Sequence, residues 1–156
     1  MDFLAAGDAM KKGKTMRRSL SAFALVLSGL AFATRLAGAG EIKIIANRSV
    51  DAASVSAAEL KSVFLETRTV LKDGSRVQPI IVKSPVYSQF VELYLGKTVE
   101  GLETYYRSLI FSGTGSIPKA FRSDAEVVAY VSRTRGAMAY VSASAQTEGV
   151  KTLEVK

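Results

Sequence analysis

The segment from Val77 to Gly96, VQPIIVKSPVYSQFVELYLG, contains the residues best suited to bind a small ligand. Val77–Val82 is rich in β-branched residues, which is typical of a buried strand, and Tyr87–Leu95 has apolar residues at helical spacing. Between them, Ser84 is predicted to cap the helix and Pro85 to occupy its first turn. A helix start that follows a strand presents free N–H groups and a positive dipole end, which favour a small anion.

A second polar group follows the first predicted strand, in the loop Asn47–Ser49. In a parallel sheet this loop would face the same edge as the helix start at Ser84. Hydroxyl, amide and ammonium groups can all donate hydrogen bonds to an oxyanion. The predicted ligand-binding residues are therefore Lys83, Ser84, Tyr87, Ser88, Asn47 and Ser49. The simpler interpretation, an ordinary strand–helix unit in which Ser84 is only a cap, stays open.

Two residue types that often carry catalysis are missing. The chain has neither cysteine nor histidine, which excludes disulfides, thiol chemistry and the commonest general base and metal ligand. Ser112–Lys119, SGTGSIPK, lacks the adjacent Gly-Lys of a phosphate loop, and the pair Glu100 and Glu103 is typical of a solvated helix face. We therefore predict no catalytic residue, no metal and no cofactor, and a protein that is not an enzyme; a hydrolase is the least favoured alternative.

The first forty residues have the pattern of a targeting segment. Basic residues between Lys11 and Arg18 precede the apolar run Leu20–Ala33, and the small residues Ala37–Ala39 follow. This pattern predicts a Sec-type bacterial signal peptide with an N-terminal extension over residues 1–40, and a periplasmic or secreted protein. The apolar run is short for a membrane span, and an uncleaved anchor is the alternative. Three residues could initiate the chain: Met1, Met10 and Met16.

The charge of the chain changes once that segment is set aside. Of 21 basic and 14 acidic residues, six and two lie in residues 1–40, so 15 and 12 remain, a net charge of +3. The remaining charges are mixed along the sequence. We therefore predict no nucleic-acid partner, and contact with the membrane only through the leader before its cleavage.

Strands and helices alternate through residues 41–156, which predicts one α/β domain. The expected fold is a small three-layer domain with a mainly parallel sheet and helices on both faces. Capping boxes begin at Ser56 and Ser123, and Thr98 is predicted to cap a third helix. Residues 68–76 form either a small hairpin or an extended loop, and residues 150–155 form a strand that we expect at the edge of the sheet. The core is predicted to include Phe64, Ile81, Phe90, Tyr106, Val128 and Tyr140.

Three stretches together resemble a known family. They are Ser56–Glu66, the turn Asp73-Gly74 leading into Val77–Ile80, and the run from Pro118-Lys119 to Gly136–Val141. Their order and spacing are similar to those of the phosphate-binding proteins of bacterial ABC transporters, in the type II periplasmic-binding-protein class. The chain most resembles a short, single-lobe relative. This resemblance implies one lobe of that fold and an exported solute-binding module.

The resemblance also implies a ligand, and the sequence departs from the family at that point. Where the family has an arginine followed by serine, glycine and threonine at the helix start, this chain has Lys83-Ser84-Pro85. Lys83 can replace the cation and Ser84 one hydroxyl, but the glycine is missing and Pro85 has no N–H to donate. We therefore expect weak binding of phosphate or a similar oxyanion. The alternative is a scaffold domain that binds no ligand and contacts another protein of the cell envelope.

Overall fold

A six-stranded mixed sheet forms the centre of residues 41–156, the part of the chain that the structure, a computed structural model, describes. The predicted signal peptide lies outside these residues. From edge to edge the strand order is β2-β6-β1-β5-β3-β4. In chain order the strands are β1 (Ile42–Ala46), β2 (Ser54–Val55), β3 (Gln78–Val82), β4 (Lys119–Phe121), β5 (Ala137–Ser142) and β6 (Lys151–Val155).

Four α-helices pack around the sheet, and the second continues as a π-helical segment, Val91–Leu95. The predicted caps are confirmed for three of them: Ser56 and Glu59 form a reciprocal capping box, and Thr98 and Ser123 each accept a backbone N–H. The helices are α1 (Ala57–Phe64), α2 (Tyr87–Phe90), α3 (Val99–Ser112) and α4 (Asp124–Arg133). No helix in residues 41–156 has both the length and the hydropathy needed to cross a membrane.

Three of the five strand pairings are parallel, and the two made by β1 are antiparallel. Met138 in β5 pairs with Ala46 at the end of β1 and with Pro79 near the start of β3. The end of β1 therefore lies at the start of β3. The expectation that the loop after β1 faces the carboxyl end of β3 is wrong, because β1 and β3 run in opposite directions.

Helices cover both faces of the sheet, as the sequence predicted. Every residue of β5 from Ala137 to Val141 is buried, although successive side chains point to opposite faces. The connection from β3 to β4 contains α3, and the connection from β4 back to β5 contains α4. These two connections run across the sheet in opposite directions. Right-handed crossovers in opposite directions place their helices on opposite faces. All six core residues predicted from the sequence are buried: Phe64, Ile81, Phe90, Tyr106, Val128 and Tyr140.

The start of the central helix differs from the prediction. The N-cap of α2 is Val86, which has no side chain that could accept a hydrogen bond, so Ser84 is not the cap. The N–H of Tyr87 instead donates to the carbonyl oxygen of Ser84 at 3.0 Å, which closes a turn over Ser84–Tyr87. Pro85 occupies the second position of that turn, where its fixed φ angle fits well.

Two edge features also differ from the sequence prediction. β6 lies between β1 and the two-residue strand β2, so it is not at the edge. β2 and β4 are the edge strands, and at two and three residues they are too short to produce a periodic pattern. Residues 68–76 form the small hairpin, with a bridge between Val70 and Arg76 around the Asp73-Gly74 turn.

Candidate functional site

The phenol of Tyr140 separates the carboxyl ends of β3 and β5. The two strands pair only at their first residues, Gln78 with Ala137 and Pro79 with Met138. Further along, the N–H of Val82 donates to the Tyr140 hydroxyl at 3.1 Å, and that hydroxyl donates to the Val82 carbonyl at 2.7 Å. Burial raises the pKa of Tyr140, so the phenol stays protonated and can donate. The side chain therefore replaces strand pairing and holds the ends of the strands apart.

The gap between these ends coincides with a change in the direction of the connections. The connection after β3 leads to β4, at one edge of the sheet, whereas the connection after β5 leads in the opposite direction along the strand order, to β6. In open α/β sheets, ligands bind outside the carboxyl ends of strands at such a switch point. The end of β3 is therefore the best candidate for a binding site.

The side chain of Asp124 joins the start of α4 to the end of β5. Asp124 begins α4 just after β4, and its Oδ2 accepts the N–H of Ser142 in β5 at 3.1 Å and also the Ser142 hydroxyl. The carboxylate is therefore held at the carboxyl end of β5, the strand next to β3. Its other oxygen, Oδ1, is buried and has no hydrogen-bond partner within residues 41–156.

Ser84 provides a second unpartnered atom at the same edge. It lies two residues beyond the end of β3, and its Oγ is buried without a hydrogen-bond partner in the described part of the chain. Buried polar atoms are almost always hydrogen-bonded, because leaving one unpaired costs free energy. Near the ends of β3 and β5 there are thus two buried, unpartnered atoms, one hydroxyl that can donate and one carboxylate oxygen that can only accept.

The other predicted residues of the central segment surround this edge. The Lys83 ammonium pairs with the Glu103 carboxylate at 3.1 Å, and both side chains are about half exposed. Tyr87 is half-buried; burial and the nearby charge of Glu103 raise its pKa, so it is a neutral hydroxyl donor. Ser88 is exposed in the first turn of α2. The structure therefore brings Lys83, Ser84, Tyr87 and Ser88 to one edge.

Asn47 and Ser49 lie at the opposite edge, about 15 Å away across the length of β3. The buried Asn47 amide donates to the carbonyl oxygens of Val131 at 2.7 Å and Ser132 at 3.1 Å, and so caps the end of α4. Ser49 Oγ accepts the N–H of Gly136 at 3.0 Å. These bonds fasten the loop after β1 to the helix end and to the start of β5. Asn47 and Ser49 are structural here and do not share a site with Ser84.

The fold matches solved structures, although no model of a known protein family and no curated protein matches the sequence. One match is a phosphate ABC transporter substrate-binding protein from Clostridium perfringens, solved with bound phosphate, at a TM-score of 0.57 and 15% identity. The alignment covers 73% of this chain and 44% of that protein. Another is PstS from Borrelia burgdorferi, at a TM-score of 0.56 and 15% identity, covering 74% of this chain and 47% of that one.

The chain has the fold of a phosphate-binding-protein lobe. The resemblance indicated by the three sequence stretches is therefore confirmed at the level of the fold, and the structural neighbours are binding proteins. The chain spans less than half the length of either protein.

Three residues at the switch point of this phosphate-binding-protein-like lobe were not predicted as site residues: Asp124, Tyr140 and Ser142. Asp124 lies within the capping-box sequence Ser123–Glu126, where an acid at a helix start is ordinary. Tyr140 was assigned to the core, where it does lie. Ser142, a polar residue at the end of the apolar strand β5, is the one signal for this site in the sequence. Residues 41–156 contain no cluster of acidic side chains that could hold a metal ion.

Proposed function

We propose that this chain is an exported solute-binding module that binds a small protonated oxyanion, with phosphate as the best fit, at the carboxyl end of β3. The observation that carries the proposal is the pair of buried, unpartnered atoms at one switch point, Ser84 Oγ and Asp124 Oδ1. A ligand that completes both hydrogen bonds must accept one and donate one. The neighbouring proteins of the same fold include one solved with bound phosphate, which supports the choice of anion.

Hydrogen phosphate meets this requirement, because it carries acceptor oxygens and a proton. Its oxygens would accept from the Ser84 hydroxyl and from Lys83, and its O–H would donate to Asp124. The start of α4 adds the positive end of a helix dipole at the same edge. Sulfate has no proton at neutral pH, so it would leave Asp124 unpaired and facing a second negative charge.

Several features make the expected binding weak. Pro85 removes a backbone donor, Glu103 competes for Lys83, and a single lobe leaves one side of the anion in water, where salt screens the interaction. We therefore expect a dissociation constant on the order of millimolar, about −4 kcal/mol.

The first prediction concerns the choice between phosphate and sulfate. In an NMR titration, phosphate should shift amide signals from Lys83 to Ser88 and at Asp124, and sulfate should shift them much less. Ser84→Ala combined with Lys83→Ala should abolish the shifts. Asp124→Asn should reverse the preference, because the remaining side-chain oxygen can take the place of Oδ2 and accept from Ser142, while the amide nitrogen takes the place of Oδ1 and donates to sulfate.

Ser108→Ala is the control for this titration, since its hydroxyl bonds only the Tyr105 carbonyl on the exposed side of α3. It should leave both titrations unchanged. If neither anion moves an amide between Lys83 and Ser88, the binding site does not exist.

The second prediction concerns export. The basic cluster, apolar run and small residues of the leader favour cleavage near Ala39. N-terminal sequencing of protein isolated from the native envelope should begin near Gly40 or Glu41. Mature protein that retains Leu20–Ala33 would show that the segment is an anchor instead.

A second candidate function, a scaffold that contacts an envelope protein, is favoured by one observation. Three apolar side chains near the end of α3 are exposed: Phe111 (89%), Ile110 (50%) and Ile117 (51%). An exposed apolar group of this kind is typical of protein contact surfaces. A failed phosphate titration would leave this function as the better one.

A further inference from the structure

The edge opposite the proposed oxyanion site contains a cleft of about 590 Å³ with an unbalanced positive charge. Arg76 and Arg135 both line it, and within residues 41–156 neither has an acidic partner within ion-pair distance. Glu66 is the one acidic residue in its lining, and its carboxylate already accepts from the N–H of Ser116 at 2.8 Å and from the Ser116 hydroxyl.

Backbone contacts fix the two segments that carry Arg76 and Arg135 against each other. Gln78 N–H donates to the carbonyl oxygen of Gly136 at 2.8 Å, which fixes the segment after α4 against the start of β3. Gly136 has a φ of +73°, and a Cβ on it would lie 2.8 Å from the carbonyl oxygen of Arg76. A side chain at this position would clash with that carbonyl, so glycine permits the close approach of the two segments, and both arginines line the same cleft.

A cleft lined mostly by charges of one sign raises the local concentration of ligands of the opposite sign. Guanidinium groups bind phosphate and carboxylate groups through two parallel hydrogen bonds each. Thr69, Gln78 and Thr114 add neutral polar groups to the same lining. We propose that this cleft binds a small ligand with two adjacent anionic groups, such as a diphosphate, one group on each arginine.

The proposal is independent of the oxyanion site, which lies at the other end of β3. The probe is inorganic pyrophosphate, titrated into the full chain and followed by NMR and calorimetry. Pyrophosphate should shift the amide signals of Arg76, Arg135 and Gly136, and it should bind at least about tenfold more tightly than inorganic phosphate does in this cleft. Affinity should fall steeply with added salt.

Arg76→Gln together with Arg135→Gln should weaken pyrophosphate binding at least about tenfold. The matched control is Arg48→Gln with Arg133→Gln, which removes the same charge from exposed residues outside the lining and should change affinity less than about threefold. If the double variant fails to fold, Arg135→Lys keeps the charge but loses the planar fork, and it should still weaken binding. Equal weakening in the control, or shifts confined to Lys83–Ser88, would overturn the proposal.

Discussion

Phe90→Ala should reduce the free energy of unfolding by about 3–5 kcal/mol, the typical cost of truncating a fully buried phenylalanine. Phe90 is completely buried, and its ring stacks on Tyr140 with centroids 3.8 Å apart. It also meets the edge of Phe64 at 4.9 Å. The substitution therefore empties the space where α1, α2 and β5 meet. Urea unfolding followed by circular dichroism gives the free energy directly.

Leu93→Ala is the matched control, because Leu93 is three residues away and 65% exposed. Its effect should stay within about 0.5 kcal/mol. Since a domain of this size has a total stability of about 5–15 kcal/mol, Phe90→Leu provides a milder variant that should still fold. A loss well below about 1 kcal/mol for Phe90→Ala would mean that the central helix does not pack as the structure describes.

The sequence predicted the buried parts of this fold well, because burial leaves a periodic signal. Phe64, Phe90 and Val128 each lie within a helical repeat of apolar residues, and each is buried. Capping boxes located α1 and α4 because their side chains satisfy backbone N–H groups that any helix start exposes. Strand direction has no such local signal. The pairing of β1 with β5 joins residues almost a hundred positions apart, and nothing within β1 indicates that it is antiparallel.

The sequence predicts only those residues of the candidate site that leave a local pattern. Lys83, Ser84, Tyr87 and Ser88 lie on one continuous segment, so a local pattern could identify them. Ser84-Pro85 is compatible with both a helix start and a turn, and the side-chain signal did not distinguish them. Asp124 and Ser142 join the site through strand order alone, which places β3 between β4 and β5. The polarity of Asn47 is visible in the sequence, but the antiparallel direction of β1, which places Asn47 at the opposite edge, is not.

Tyr140→Phe should reduce the free energy of unfolding by about 2–4 kcal/mol, although it removes only one oxygen atom. The Tyr140 hydroxyl accepts from the N–H of Val82 and donates to its carbonyl, and both residues are fully buried. A buried backbone group without a partner costs about 1–3 kcal/mol, and this substitution leaves two. The strands cannot recover the loss simply by pairing, because the aromatic ring still occupies the space between them.

Two further Tyr→Phe substitutions, measured in the same unfolding experiment, provide comparisons for Tyr140→Phe. Tyr106→Phe should cost about 1 kcal/mol, since its hydroxyl bonds a single carbonyl, that of Phe64. Tyr130→Phe should cost nearly nothing, because its hydroxyl makes no hydrogen bond within residues 41–156, while its ring, which the substitution keeps, contacts Phe121 and Lys119. If Tyr140→Phe costs no more than Tyr130→Phe, the phenol does not replace strand pairing. The gap between β3 and β5, on which the proposed oxyanion site depends, would then need another explanation.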